Sequence, residues 1–216
     1  MIPNVVLERV DTPDGEMVLS QRGRDFSIRV RGVELMNSRS HGSEDELGRI
    51  TCQPLADRTA PRVLIGGLGL GYTLRAALDV LPSNARLDLV EIMPAVVRWN
   101  RAVVGALASH PLDDPRVTVI EADVGLVIGR STAHYDAILL DVDNGPDGIL
   151  ETNAALYRRT GLERAHAALT PRGVLAVWSS FDSPTFTLWL RQVGFDVELV
   201  RSNQHGARHF VWLARR

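Results

Sequence analysis

Short apolar runs bounded by glycine, proline or charge alternate along most of the chain with longer amphipathic stretches. From Arg62 onward the order repeats: Val63-Leu64-Ile65, then a helix from about Thr73; Leu87-Asp88-Leu89-Val90, then a helix from Pro94; then Val117 to Ile120, Ala137 to Leu140 and Val174 to Trp178. Strands spaced by helices pair in parallel through right-handed crossovers, so this pattern predicts a doubly wound α/β sheet. The last two runs break the rule. Phe195 to Arg201 and Phe210 to Ala214 are separated only by Ser202 to His209. That is too little chain for a crossover helix, and it predicts an antiparallel hairpin at the sheet edge.

Residues 1–55 follow another pattern. Val5 to Val10, Glu16 to Ser20 and Phe26 to Val30 are separated by the turn-prone Pro13-Asp14-Gly15 and Arg22-Gly23, which predicts a small N-terminal β-hairpin region. Ser43, with Glu46 three residues on, fits a capping box opening a helix toward Pro54. Residues 56–216 then form the sheet domain. Exposed strand edges in the N-terminal region make a homodimer the expected assembly, because edges tend to be paired or covered.

Composition narrows the classes. With 216 residues, 45% of them hydrophobic, and a formal net charge of -2, the chain reads as an ordinary globular protein and not a disordered one. Cys52 is the single cysteine, so neither an internal disulfide nor a cysteine-rich zinc site is expected. No run approaches the roughly 20 apolar residues of a membrane span. The slightly acidic balance gives no footprint for nucleic acid, and Arg201, Arg208, Arg215 and Arg216 read as a solvated face. Met1 to Val10 carries Glu8 and Arg9 without an apolar core, so no secretory leader is expected and the cytoplasm is the expected compartment.

Chemistry concentrates after the strands. Gly66-Gly67-Leu68-Gly69-Leu70-Gly71 follows one strand and opens a helix, where bare backbone can approach a nucleoside. A dinucleotide fingerprint starting at Gly67 would need a small residue where Tyr72 stands. Glu91 ends the next strand, placed to accept both hydroxyls of a ribose. Asp123 ends the third, placed to accept from an adenine amino group or to cap the following helix. The fourth strand ends in Asp141-Val142-Asp143-Asn144-Gly145-Pro146-Asp147. Carboxylates there suit a cationic substrate, and one of them can orient an amine and accept its proton; the same residues would also make a helix-capping loop.

As a set, these residues resemble the spermidine synthase-like aminopropyltransferases, over roughly residues 15 to 180. The matching pieces are Val63-Leu64-Ile65-Gly66-Gly67 with Thr73-Leu74-Arg75, Leu89-Val90-Glu91-Ile92-Met93-Pro94, Asp114-Pro115-Arg116-Val117, Tyr135-Asp136-Ala137-Ile138 with Asp141, and Leu169 to Leu175. The resemblance implies a seven-stranded sheet of the class I methyltransferase type, mostly parallel with an antiparallel last strand. It implies S-adenosylmethionine or its decarboxylated form as donor, a small amine or other nucleophile as partner, and no metal. By it, Gly66, Gly67, Gly69 and Gly71 line the donor, Glu91 holds the ribose, Asp123 the adenine, and Asp141 the amine end of the substrates.

Two departures bear on function. The family's glycine loop carries an aspartate that grips the propylamine of the decarboxylated donor, whereas Gly67 to Tyr72 contains no acid. A neutral loop would accept intact S-adenosylmethionine. The family's catalytic aspartate falls on Asn144, which cannot accept a proton at neutral pH, and Asp143 substitutes only if the loop turns differently. The leading expectation is a transferase that moves an aminopropyl or related alkyl group to a small amine; methyl transfer from intact S-adenosylmethionine to a small molecule and a catalytically silent nucleoside-binding module are the alternatives. Tyr157 follows a segment, Gly148 to Leu156, that could act as a lid, and its phenol is a candidate contact to a substrate amine. Asn37, His41 and Glu44 fall where the β region would close over the site. Trp99, Trp178 and Trp189 read as core packing, and His205 and His209, with no third ligand near in sequence, as surface residues.

Overall fold

A computed structural model describes residues 2–142, 145–146, 154–204 and 207–216. The N-terminal residues form an antiparallel sheet with strands in sequence order, β1 (Val5–Thr12), β2 (Gly15–Arg22), β3 (Asp25–Val30) and β4 (Val33–Asn37). Three strands match the sequence pattern. The fourth, Val33-Glu34-Leu35-Met36-Asn37, is too short and mixed to declare itself and is held by pairing to β3. Met17 and Leu19 of β2 and Ile28 and Val30 of β3 are buried at the period of two that a strand imposes.

Helix α1 (Gly42–Cys52) packs on α2 (Tyr72–Val80). The approach is close because residue 48 is glycine: a Cβ there would lie 2.5 Å from the Thr73 carbonyl oxygen. The capping box expected at Ser43 and Glu46 does not form. His41 stands at the N-cap without a side-chain cap, Ser43 is buried and donates to Glu44 Oε2 at 2.5 Å, and Glu46 Oε2 is buried without a partner. The helix entrance is fixed instead by the His41 ring, which stacks on Tyr72 at 3.8 Å between centroids and reaches Asp45 Oδ2 at 2.7 Å.

The larger sheet contains β5 (Arg62–Gly66), β6 (Arg86–Glu91), β7 (Val117–Glu121), β8 (Tyr135–Leu140), β9 (Leu169–Ser179), β10 (Asp196–Gln204) and β11 (Ala207–Arg215). Their order is β10-β11-β9-β8-β5-β6-β7; β5 to β9 run parallel and β11 lies antiparallel between β9 and β10. This is the expected doubly wound sheet with its antiparallel last strand. The remaining helices are α3 (Pro94–Trp99), α4 (Val124–Gly129), α5 (Ala154–Tyr157), α6 (Arg159–Ala168) and α7 (Pro184–Val193). Among the described residues no helix is long and apolar enough to cross a membrane.

Alternation along β5 divides the core. Val63 and Ile65 join Leu87, Leu89 and Trp99 on one face, together with Met17, Leu19 and Ile28 of the small sheet. Leu64 joins Ile138, Leu140, Phe186 and Trp212 on the other. One continuous apolar cluster thus ties the small sheet to the large one. Trp189 departs from its expected core role: it is 37% exposed, on the outer side of α7, whose Phe186 and Leu190 fill the inner side.

Several of the pieces that carry the family resemblance brace the end of the sheet where strands begin. Arg116 donates to Asp114 at 2.7 Å and to the Leu81 carbonyl at 2.8 Å. Asp136 accepts from Arg58, the Arg62 backbone and Thr170 at 2.7, 2.9 and 3.0 Å, and the Tyr135 hydroxyl donates to Asp88 at 2.9 Å.

One polar tie crosses between the sheets. Glu8 of β1 accepts from the Trp99 indole N–H at 2.6 Å and from Arg98. Trp99 is 1% exposed, so Glu8→Ala is expected to strand its N–H, at a cost of roughly 1–3 kcal/mol. A lowered denaturant midpoint would show this, and Glu8→Gln, which keeps an acceptor, should recover most of the loss.

Candidate active site

The sheet order reverses beside β5, and the ends of β5, β6 and β8 open there into a cavity of about 450 Å³. Such reversal points are where doubly wound sheets take ligands. The small sheet covers the opening with Met17, Ile28, Met36 and Asn37.

The loop after β5 forms one wall. Gly67 has φ +89, and a Cβ on it would sit 2.2 Å from the Asp141 carbonyl oxygen, so only glycine fits between β5 and the end of β8. The Gly67 N–H donates to the Val90 carbonyl at 2.9 Å, and the Leu68 N–H donates to Glu91 Oε2 at 2.8 Å. Glu91 is 7% exposed, and its Oε1 accepts from the Met93 N–H at 2.8 Å. Burial pushes this carboxyl up, while bonds from the Leu68, Met93 and Ile92 backbone pull it back down. The carboxylate lines the cavity, where it can accept from a ligand hydroxyl beside these backbone donors. Gly67 and Gly69 line the cavity, whereas Gly66 packs under Val124 and Leu140, and Gly71 lies against Pro111 and Asn100 at the start of α2.

Asp123 lines the cavity and caps α4, accepting the Gly125 N–H at 2.7 Å on Oδ1. Both roles foreseen for it are thus compatible, since the second oxygen is not needed for the cap. Asp141 also lines the cavity, and its Oδ2 accepts the Thr73 hydroxyl at 2.6 Å. Burial, then the negative charge of Glu44, pushes Asp141 up to about 7 against the Thr73 bond, which pulls it down. Asn37 and Glu44 reach the cavity wall and His41 does not.

Other expected residues fall elsewhere. Tyr157 is 2% exposed, packs edge-on against Phe186 and donates to the Val142 carbonyl at 3.2 Å; it supports the strand end from behind and does not line the cavity. Trp178 does line it. His209 is half-buried and not a surface residue, because its ring stacks on Trp178 at 5.3 Å. Asp143, Asn144, His205 and most of the Gly148 to Leu156 segment lie outside the described residues. Among the described residues no group of three His, Cys, Asp or Glu could hold a metal ion.

Two contributors carry no sequence signal of their own role. Thr73 reads only as a helix opener until the fold brings β8 beside it. Asn100 is a polar residue in an apolar helical stretch; it begins a π-helical turn (Asn100–Val104), and its buried Nδ2 donates to the Gly69 carbonyl at 2.9 Å and the Val96 carbonyl at 3.0 Å. The glycine loop is thereby pinned from behind.

A doubly wound sheet with its last strand antiparallel, a small antiparallel sheet over the carboxyl edge and acids at the ends of β6, β7 and β8 defines a methyltransferase-like domain of the spermidine synthase type. A family model described as the spermine/spermidine synthase domain matches residues 49–191, and the chain belongs to that family. It is 34% identical over 119 residues to polyamine aminopropyltransferase 2 of Pseudomonas aeruginosa, covering 53% of this chain and 32% of that protein. It is 27% identical over 192 residues to the polyamine aminopropyltransferase of Mycobacterium tuberculosis, covering 84% and 35%. The chain thus spans about a third of the length of these curated relatives. In fold it matches a spermidine synthase from Thermotoga maritima with a TM-score of 0.75 at 16% identity, over 97% of this chain and 72% of that one. A probable spermidine synthase from Corynebacterium glutamicum matches with a TM-score of 0.69 at 18% identity, over 98% and 79%.

Two measurements test the site as built. Asp141 has an ordinary value of 3.8 and is raised to about 7 in the fold, so between those values the folded chain holds a proton that the unfolded chain releases. Stability should therefore fall as pH rises through that window and level off above it. Asp141→Asn removes the titration, so its stability relative to wild type should climb from pH 4 to 7 and then stay flat in denaturant melts. Asn100→Ala should lower stability by roughly 1 kcal/mol, the worth of one hydrogen bond, by freeing the Gly69 carbonyl, seen as a lowered denaturant midpoint.

Proposed function

We propose that the chain binds an S-adenosyl sulfonium and transfers its aminopropyl group to a small amine. The observation that carries this reading is Asp141, a cavity-wall carboxyl raised to about 7 in a member of the spermine/spermidine synthase domain family. The names of the relatives, polyamine aminopropyltransferases, support the same chemistry.

In this reading Glu91 takes the ribose hydroxyls, Asp123 the adenine amino group, and Gly67 and Gly69 leave room for the nucleoside along the loop. An ammonium must lose a proton before its nitrogen can attack, and a carboxyl that titrates near neutral pH is suited to accept it. The carbon–nitrogen bond then forms as the carbon–sulfur bond breaks. The electron pair leaves with sulfur as neutral methylthioadenosine, and one proton is released overall. The sulfonium is its own leaving group, so the reaction asks the protein mainly for alignment, and no metal is assigned. Tyr157 serves by holding Val142, next to Asp141. Asp143 and Asn144 follow Asp141 by two and three residues; Asn144 can orient an amine but cannot take its proton, which leaves that step to Asp141 or Asp143. We read the enzyme as cytoplasmic and as a homodimer through its N-terminal sheet.

The test is release of methylthioadenosine from decarboxylated S-adenosylmethionine, with short diamines as acceptors. Release that requires both substrates is the expected result. Asp141→Asn should lower the turnover number about 100-fold or more while changing methylthioadenosine affinity less than threefold. Formation of S-adenosylhomocysteine from intact S-adenosylmethionine, with no aminopropylated product from any diamine, would replace this reading with methyl transfer.

A further inference from the structure

The loop from Gly67 to Tyr72 is uncharged, so recognition of a cation in the cavity must come from other walls. Asp14, Glu44, Glu91, Asp123 and Asp141 line it, and among the described residues no arginine, lysine or histidine does. Glu91 is bonded to the Leu68 and Met93 N–H groups and Asp123 caps a helix. Glu44 and Asp141 are differently placed. They come from α1 and the end of β8 and line the same cavity on either side of Thr73, whose hydroxyl is 2.6 Å from Asp141 Oδ2 and 3.3 Å from the Glu44 backbone carbonyl oxygen, while the Glu44 carboxylate accepts the Ser43 hydroxyl on Oε2 at 2.5 Å. Among the described residues neither carboxylate forms a salt bridge.

Two neighbouring carboxylates without a counter-ion repel each other, which accords with the upward push that Glu44 gives Asp141. A cation between them relieves the repulsion. A primary ammonium is well matched, since three N–H donors can be shared between two carboxylates, whereas a carboxylate on the same ligand would be repelled. The loop joins this pair to the nucleoside end: Leu68 is bonded to Glu91 and Thr73 to Asp141.

We infer that Glu44 is the donor-specificity residue of the cavity. With Asp141 it receives the terminal ammonium of the alkyl chain on the sulfonium, and it turns away a donor whose chain also ends in a carboxylate. The inference rests on the aminopropyl-transfer reading and assigns to α1 a role that the uncharged loop leaves vacant.

Calorimetry on wild type, Glu44→Gln and Glu44→Asp with three probes tests it: decarboxylated S-adenosylmethionine, intact S-adenosylmethionine and methylthioadenosine, which carries no ammonium. Wild type should bind the decarboxylated donor at least tenfold more tightly than the intact one. Glu44→Gln should bring the two donors within about threefold and leave methylthioadenosine within twofold, which also reports an intact fold. Glu44→Asp should keep most of the preference. Equal weakening of all three probes by Glu44→Gln would reduce Glu44 to a structural residue and overturn the inference. Survival of the preference in Glu44→Gln, or its absence in wild type, would overturn it as well. If wild type fails to bind even methylthioadenosine, the nucleoside reading itself falls and takes the inference with it; binding of methylthioadenosine without a donor preference refutes the Glu44 role alone.

Discussion

Gly67 lies against the Asp141 carbonyl with no room for a single added carbon. That approach fixes the end of β5 against the end of β8, and the cavity follows from it. Leu68 is then in position to donate to Glu91, and Thr73, at the start of α2, to donate to Asp141. Two cavity-wall acids, Glu91 and Asp141, are thus set by the two ends of one short loop. Neither depends on a long flexible side chain, so the site is organised before any ligand arrives.

Close packing also explains how the N-terminal region contributes. The small sheet shares an apolar cluster with one face of the large one, and Glu8 reaches Trp99 across the boundary. Gly48 lets α1 settle on α2 and carries Glu44 to the cavity wall. The charge at the wall is therefore assembled from α1 and from the carboxyl ends of β6, β7 and β8, while the glycine loop itself carries no charge.

Much of this was legible in the sequence. Each strand from Val63 to Trp178 is a short apolar run followed by a turn and an amphipathic helix, a pattern that few folds satisfy, and Glu91, Asp123 and Asp141 stand where those strands end. What the sequence hid depends on contacts between distant segments. Thr73 and Asn100 acquire their roles only when β8 and the glycine loop arrive beside them. Ser43 looked like a cap because capping is a local signal, yet tertiary packing drew it into the interior. Trp189 looked buried from its apolar neighbours, but α7 turns that side outward. Tyr157 looked like a ligand contact from its distance along the chain, whereas the fold spends its hydroxyl on the Val142 carbonyl. His209 gained a stacking partner in Trp178 that no spacing rule would pair with it.

Strand β11 comes after β10 in the chain but lies inside it in the sheet, pairing β9 on one side and β10 on the other. During synthesis β9 must therefore wait with its outer edge open until the later segment emerges, and β10 cannot take its final place before then. An open, apolar strand edge is where a nascent chain pairs with the wrong neighbour. The order of the strands makes completion of the sheet wait for β11, and places the risk of misassembly in the interval between β9 and β11.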